Sequence, residues 1–491
     1  MAQHCESFAW KLGVAHMTTK IPWGKGNFPP KPTEYFERVA RDARFSLLFD
    51  NMLQMRSGAL ALAHHLDDQV ETSLMRLGKG SSLLGARGMK PLRRWGMLEA
   101  GDSGKRPDQQ VMQALDMWQI RPLLSVGKDR ILATCEANRL DYVTDKTNFQ
   151  PDITIRNAIR HVIDNNGSMV GVSNQALREK LVDIDNALSK TQDLGITLGS
   201  PRDVLREKVL GFSTAADALA TKSESLIQRC VETSPPGTVF IPESALQDWA
   251  REESLARRSL VTTVLRYVSP DPWGSLRAQA FGRETRVDAI ANLLWSTDTR
   301  DLPRALVAGS RVMWKYVAYR NGAIKEIPHR HSELAGASLT GWIASRQPPA
   351  HMNAGLQKCG QGEQSMKRDI TKLLTDSMAS YLEQHIPESV EVMWDNRFRI
   401  RFNMRHLALL KDVWNHAGVT VLVDSHSKWF LPQVAIHTTL GGEVVAPMVW
   451  KLEPDSSAPR QRPEQRKEIE LAATSSQSAV RFDYIRPLTG A

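Results

Sequence analysis

Between Tyr35 and Met55, apolar residues fall at Phe36, Val39, Ala40, Ala43, Leu47, Leu48 and Met52, close to the period of a helix. After Arg56-Ser57-Gly58 comes a short apolar run, Ala59 to Ala63, ending at His64-His65. Its length and flanks predict a buried parallel strand. Asp67 and Asp68 suit a helix start, Val70, Leu74 and Leu77 repeat at helical spacing, and Gly78 and Gly80 break the pattern. Strand, turn and helix make half of a βαβ unit. Further helices are expected from about Lys128 to Asn138 and from Ile153 to Ile163, the second with Ile155, Ile159 and Val162 on one side.

Farther along, residues 172–310 are mostly helical in pattern, with breaks at Gly199-Ser200-Pro201, Ser234-Pro235-Pro236-Gly237 and Ser269 to Gly274. No internal repeat is visible. The stretch 329–366, with Pro348-Pro349 and several glycines, reads as a loop or linker. In the last third, Arg397, Arg399 and Arg401 alternate with Phe398, Ile400 and Phe402, the period of a half-buried strand. Val419 to Val423 and Val434 to His437 also read as strands. A polar stretch from Glu99 to Gln110 reads as a surface insertion, and Lys451 to Glu470 as a charged, proline-rich tail.

A chain of 491 residues is long enough for two to four domains. Its 42% hydrophobic and 24% charged residues are the balance of a globular protein. Lys+Arg 63 against Asp+Glu 54 gives +9, which favours anionic partners such as nucleic acid or nucleotides. Cys5, Cys135, Cys230 and Cys359 form no CxxC, so a disulfide scaffold, zinc ribbon or cysteine-held cluster is not expected, and the chain suits a reducing compartment. No run of eighteen apolar residues exists, and no membrane partner is expected. The first residues show neither a signal core nor an Arg-rich presequence.

The segment Ala63-His64-His65-Leu66-Asp67-Asp68-Gln69-Val70-Glu71-Thr72 crowds polar residues at the carboxyl end of a strand, the edge where open α/β sheets bind ligands. Two readings stand: Asp67 and Asp68 cap the helix, or they serve a ligand. Adjacent His64 and His65 on a strand point to opposite faces, so they do not readily share one metal ion. Carboxylates for a nucleotide-bound Mg²⁺ fit better. The stretch from Arg76 to Arg94 carries Arg76, Lys79, Arg87, Lys90, Arg93 and Arg94 without an acid, together with Gly78, Gly80, Gly85 and Gly88. It reads as a phosphate or RNA contact, or as a solvated loop. Asp145-Lys146-Thr147-Asn148 and Arg156-Asn157-Ala158-Ile159-Arg160 follow. Arg156 and Arg160 share one helix face, suited to phosphate or to an ion pair with Asp145 or Asp152. Arg397, Arg399 and Arg401 would give one basic sheet face, either along an RNA backbone or as an edge-strand charge pattern. Trp249, Trp273, Trp295, Trp314 and Trp342 are expected as packing residues.

Taken in order, these segments resemble the tRNA(Ile)-lysidine synthetase family of PP-loop ATP pyrophosphatases. The matching pieces are Glu37-Arg38-Val39-Ala40-Arg41-Asp42-Ala43-Arg44-Phe45, like E-x-x-A-R-x-x-R-Y, then His64 to Thr72, then Arg76-Leu77-Gly78-Lys79-Gly80-Ser81, like R-L-x-R-G-S, with Gly88-Met89 after it. Arg121-Pro122-Leu123-Leu124, Asp145 to Asn148 and Arg156 to Arg160 complete the set, which covers about residues 30–165. A weaker likeness continues near Leu246 to Val268.

The resemblance implies an α/β fold: a parallel-sheet PP-loop domain of the adenine nucleotide alpha hydrolase-like kind over 1–165, a helical tRNA-binding domain over 172–328, a linker and helix over 329–384, a small α+β domain over 385–452 and a polar tail over 453–491. It implies a ligase that uses ATP to adenylate the wobble cytidine of an isoleucine tRNA and then lets the amine of L-lysine displace AMP. ATP and Mg²⁺ are the implied cofactors, tRNA(Ile) and L-lysine the partners, and a homodimer is among the expected assemblies. His64, Asp67, Asp68 and Glu71 are the implied catalytic residues, with Asp67 and Asp68 toward Mg²⁺ and the acids also toward the lysine ammonium. Arg121, Asp145, Asn148, Arg156, Asn157 and Arg160 are implied for ATP or tRNA phosphates, and Arg76, Lys79, Arg87 and Lys90 for tRNA.

One departure stands out. The family begins with a strand and a Ser-Gly-Gly-x-Asp-Ser loop that cradles ATP phosphates, and no such motif occurs in this chain. Residues 1–33 read as the segment just downstream, with a helix at Cys5 to Ala9 and a strand at Gly13 to Thr19. The expectation is a chain shortened at its amino end, without its first strand, binding ATP poorly and impaired in activity. The long insertions suggest a eukaryotic, fungal member, with the mitochondrion as its expected place and the cytoplasm otherwise. The alternatives are a related PP-loop tRNA thiolase, disfavoured by the cysteines, and a catalytically dead tRNA-binding homologue. A metal phosphoesterase fails for want of further Asp/His clusters.

Overall fold

The computed structural model describes residues 2–26, 28–33, 36–81, 83–97, 108–190, 195–232, 234–249, 251–274, 284–296, 305–320, 323–326, 339–349, 366–414, 418–440, 443–452 and 479–488. Most of the expected polar insertion, linker and tail (98–107, 327–338, 350–365 and 453–478) therefore lies outside the described residues. The chain divides into two compact units, residues 1–95 with 114–218, and residues 96–113 with 219–490.

In the first unit the chain runs through α1 (Ala2–Lys11), α2 (Phe36–Gln54), β1 (Ala59–Ala61), α3 (Leu66–Leu77), α4 (Leu83–Ala86) and β2 (Leu92–Arg94). α5 (Asp108–Asp116), β3 (Trp118–Ile120), α6 (Lys128–Ala137), a 3₁₀ turn at Lys146–Phe149, α7 (Ile155–Asp164), α8 (Gln175–Lys190) and α9 (Arg202–Glu232) follow. The first turns of α5 fall in the second unit, and α9 runs on into it. β1 lies parallel to β3, pairing Ala59 with Trp118 and Ala61 with Ile120, and β2 joins the far side of β3 antiparallel. A parallel β1 is thus as expected, but a buried one is not. β1 is an edge strand among the described residues, with Ala59 and Ala61 exposed, because neither its outer edge nor its faces are covered as in an interior strand. Cys5 to Ala9 lie in helix α1, whereas Gly13 to Thr19 form no strand.

The core of this unit is helical. α3 turns Val70, Leu74 and Leu77 against Ala158, Ile159 and Val162 of α7, Leu181, Ile184 and Leu188 of α8, and Leu205 and Val209 of α9. Ile159 and Val162 are fully buried, as their spacing predicts, and Ile155 packs at the margin.

The second unit departs further from the pattern read along the chain. β4 (Val239–Pro242), β5 (Ala305–Gly309), β6 (Val312–Arg320), β7 (Ala323–Glu326) and β8 (Leu339–Arg346) form an antiparallel sheet in the order β4-β8-β6-β5, with β7 on β6. Four of these strands lie in the helical domain expected over 172–328, two of them within the stretch 172–310 read as mostly helical, and β8 lies in the stretch read as linker. α10 (Glu243–Asp248), α11 (Ser254–Val268) and α12 (Glu284–Leu294) are the helices there. Trp314 and Trp342, both buried, pack with Leu260, Val264 and Ile290, and Trp249 and Trp273 are buried as well.

β9 (Arg368–Asp369), α13 (Thr371–Gln384), β10 (Ser389–Trp394), β11 (Phe398–Asn403), α14 (Met404–Ala408), β12 (Val419–His426), β13 (Leu431–Leu440), β14 (Glu443–Lys451) and β15 (Val480–Tyr484) complete the unit. They make the sheets β10-β11-β15 and β14-β13-β12-β9. β15 comes from the stretch read as a solvated tail, and its Val480 and Phe482 are core residues.

The alternating arginines are not an edge pattern. β11 is a central strand, with β10 on one side and β15 on the other. Arg399 Nη2 donates to Asp483 Oδ2 at 2.6 Å, Arg401 Nε to Glu391 Oε1 at 2.8 Å, and buried Arg397 Nε to Asp395 Oδ2 at 2.7 Å. Cross-strand acids claim Arg399 and Arg401, and Asp395 in the turn between β10 and β11 claims Arg397. Replacing Asp483 by Asn leaves a buried Arg399 without its carboxylate, so Asp483→Asn is expected to lower stability by about 3 kcal/mol, read as a shift of the urea midpoint of the second unit.

Candidate functional site

β1 delivers the chain to His64 and His65, and α3 starts at once, with the His65 N–H donating to Asp68 Oδ2 at 3.0 Å. This places the His64 to Thr72 segment at the carboxyl end of β1 and around the first turns of α3. His64 is half-buried. Its burial, then the charges of Arg121, Arg41 and Arg156, hold its imidazole below 6.5 against the opposing pull of Asp68. Its Nδ1 is buried without a hydrogen-bond partner.

Arg121 follows β3 directly and is almost fully buried. Its Nη1 donates to the Lys90 carbonyl at 2.9 Å and its Nη2 to Gln119 Oε1 at 3.0 Å, while Nε has no partner. Burial, then Arg41 and Arg76, depress it. Arg93 on β2 is pushed down to about 10 by burial, then by Arg121, Arg76 and Arg41. The charges of Arg41 and Arg76 thus reach both Arg93 and Arg121.

The acids divide by role. Asp67 is buried and saturated: Arg206 reaches both of its oxygens at 2.9 and 3.0 Å, Arg202 donates at 2.9 Å, and the Lys128 N–H donates at 2.9 Å. Burial alone would raise this carboxyl, but the bonds from Arg206, the Lys128 backbone and Arg202 bring it from 3.8 to about 2. Two guanidiniums and a backbone N–H thus occupy the Asp67 carboxylate in this structure. No group of three or more His, Cys, Asp or Glu able to hold a metal occurs among the described residues. Glu71, also buried, accepts from Arg160 Nη2 at 2.7 Å and Nε at 2.9 Å through Oε1, and its Oε2 is left without a partner. Burial pushes its carboxyl up, opposed by Arg160 and helped by Asp68.

Arg160 therefore pairs with Glu71, not with Asp145 or Asp152. Arg156, one turn earlier, has a single long contact, from Nη2 to Thr72 Oγ1 at 3.4 Å. Asn157 donates to the Thr147 carbonyl at 2.8 Å and the Gln150 carbonyl at 3.0 Å, which pins the 3₁₀ turn to α7. Asp145 caps that turn through the Thr147 N–H at 2.9 Å, and Asn148 lies exposed on it. In the basic stretch, Arg76 Nη1 grips the Gly85 and Gly88 carbonyls at 3.0 and 2.5 Å, and Arg87 pairs with Asp217 at 2.9 Å. Lys79 is exposed, and Lys90 is half-buried with its carbonyl on Arg121.

Arg202 and Arg206 have no signal in the sequence that ties them to Asp67, 135 and 139 residues away. Gln69, buried on α3, was likewise passed over. Arg41 stands in the matched E-x-x-A-R segment, but only the fold brings it near His64.

Residues 1–166 match a family model described as a PP-loop domain. The tRNA(Ile)-lysidine synthase of Bacillus licheniformis is 38% identical over 125 residues, 26% of this chain and 22% of that protein. That of Methylobacterium nodulans is 34% identical over 147 residues, 30% of this chain and 36% of the relative. That of Persephonella marina is 27% identical over 228 residues, 46% of this chain and 43% of the relative. The chain thus spans less than half the length of these curated relatives, all of them bacterial, which lends no support to a mitochondrial address. No helix among the described residues is long and apolar enough to cross a membrane.

The Asp67 pairing has a pH signature. Because its folded value lies below the ordinary one, its stabilisation is complete above about 3.8 and disappears as the pH falls toward about 2. The shift corresponds to about 2 kcal/mol. Comparing urea midpoints at pH 6 and pH 3 should show about half of this loss, roughly 1 kcal/mol, in the unchanged protein and a smaller acid loss in Asp67→Asn.

Proposed function

With a PP-loop domain over residues 1–166, we propose that this chain joins L-lysine to the wobble cytidine of an isoleucine tRNA at the expense of ATP. ATP transfers its adenylyl group to the cytidine ring carbonyl and pyrophosphate leaves; the lysine amine then attacks the activated carbon and AMP leaves. The observation that carries the reading is His64 at the carboxyl end of β1, within reach of the charges of Arg121, Arg41 and Arg156. Such an arrangement suits an anion whose charge shifts during phosphoryl or adenylyl transfer.

Within that reading, Arg121 and Arg156 steady phosphates, and His64 contacts nucleotide or substrate through its unpartnered Nδ1. Glu71 Oε2, with Asp68 nearby, receives the lysine ammonium, a cation that also offsets the cost of a buried carboxylate. Asp67 acts by holding the segment in place. Exposed Lys79 and the Asp145 to Asn148 turn meet tRNA. The thiolase alternative needs a reactive thiol. Cys230 is buried in the second unit with its thiol pushed up to about 12, and Cys135 lies partly buried on α6.

Incubation with ATP, labelled lysine and isoleucine tRNA is expected to yield AMP and labelled tRNA in equal amounts. ATP-dependent entry of sulfur instead of lysine would move the chain to the thiolases. Tight tRNA binding with no AMP formation would make it a non-catalytic binder. Arg156→Met, which removes only a long contact to Thr72, is expected to reduce lysine transfer about tenfold to hundredfold while shifting stability by no more than about 0.5 kcal/mol.

A further inference from the structure

Gln69 stands one turn into α3, with 3% of its surface exposed, yet it is not one of the apolar residues that α3 sends into the core. Its carboxamide instead meets the backbone of one residue on the loop between α4 and β2. The Met89 N–H donates to Gln69 Oε1 at 2.5 Å, and Gln69 Nε2 donates to the Met89 carbonyl at 2.9 Å. The side chain thus satisfies both backbone groups of Met89, as a neighbouring strand would.

Two more features converge there. Gly88 has φ +78°, and a Cβ on it would lie 2.5 Å from Gln69 Oε1, so a side chain is excluded on both counts. Arg76, also from α3, grips the Gly85 and Gly88 carbonyls. The loop so fixed leads into Lys90 and Pro91, and Arg121 is referenced to both: its Nη1 donates to the Lys90 carbonyl at 2.9 Å and its backbone N–H to the Pro91 carbonyl at 2.8 Å.

We propose that Gln69 is a positioning residue for this site: by closing on Met89 it fixes the Gly85–Lys90 loop, and through the Lys90 and Pro91 carbonyls it sets the Arg121 guanidinium that faces His64. This rests on the reading of His64 and Arg121 as parts of one anion site. A hydrogen-bond clamp of this kind matters more than its stability share, because a guanidinium displaced by an ångström acts on different atoms.

The charged groups facing His64 are Arg121, Asp68, Arg41 and Arg156, so the His64 titration reports where Arg121 stands. NMR titration of the histidine-labelled full chain, with the His64 signal identified by its loss in His64→Gln, reads it directly. Arg121→Met is the reference and is expected to move the His64 midpoint up toward 6.5. Gln69→Met, uncharged and of similar length, is expected to move it in the same direction, and Gly88→Ala to do so by pressing on the same contact. Gly88→Ala carries the test alone where Gln69→Met does not fold. If Arg121→Met moves His64 while the folded Gln69→Met and Gly88→Ala leave it unmoved, the positioning role is wrong though the site reading stands. If Arg121→Met leaves His64 unmoved, the shared site is wrong and the positioning role falls with it.

Discussion

The carboxylate of Asp67 is the contact on which the geometry of the first unit turns. It sits in the first turn of α3 and takes hydrogen bonds from the start of α6, through the Lys128 N–H, and from the start of α9, through Arg202 and Arg206. One buried charge thereby joins the beginnings of three helices, and the same first turns of α3 carry His64's neighbours Asp68 and Glu71. Arg202 also bonds Asp164 at the end of α7, and Arg206 bonds Asp129 at 2.6 Å, so the pairing extends into a network. Its costly break is at Arg206, whose loss would deprive the buried Asp67 carboxylate of the guanidinium that reaches both its oxygens.

Around this anchor the charges are sorted by depth and not by sign alone. Asp67 is paired from the α9 side and Glu71 by Arg160, while the charges of Arg121, Arg41 and Arg156 act on His64. Lys79 is exposed, whereas Arg76 and Arg87 hold the loop and its neighbours.

The second unit shows the opposite use of arginine. Along β11 the arginines meet Asp483, Glu391 and Asp395 at hydrogen-bond distance, inside a sheet whose other face is Phe398, Ile400 and Phe402. The alternation visible in the sequence correctly marks a strand. It does not say whether the polar face is wet, since that depends on β15, contributed by residues some eighty positions later. For the same reason β4, β6 and β8 were not legible: a strand's identity rests on its partner, and β8 is separated from β6 by a long stretch of chain. Helices fared better, α2, α6 and α7 falling within a residue or two of their expected bounds, because their hydrogen bonds are local.

The sequence by itself determined the kind of site. The order of the segments from Glu37 to Arg160, the β1–α3 junction at His64 to Thr72 and the apolar stripe of α7 are local patterns, and local patterns survive reading one residue at a time. Tertiary structure alone decided which of those residues are available for chemistry. It gave Asp67 to Arg202 and Arg206, Glu71 to Arg160, and Gln69 to Met89, and it set Arg121 beside His64. The physical reason is that a charged or amide side chain satisfies its hydrogen bonds with whatever the fold brings within about 3 Å, and residues 20 to 139 positions apart come that close only when the chain is packed.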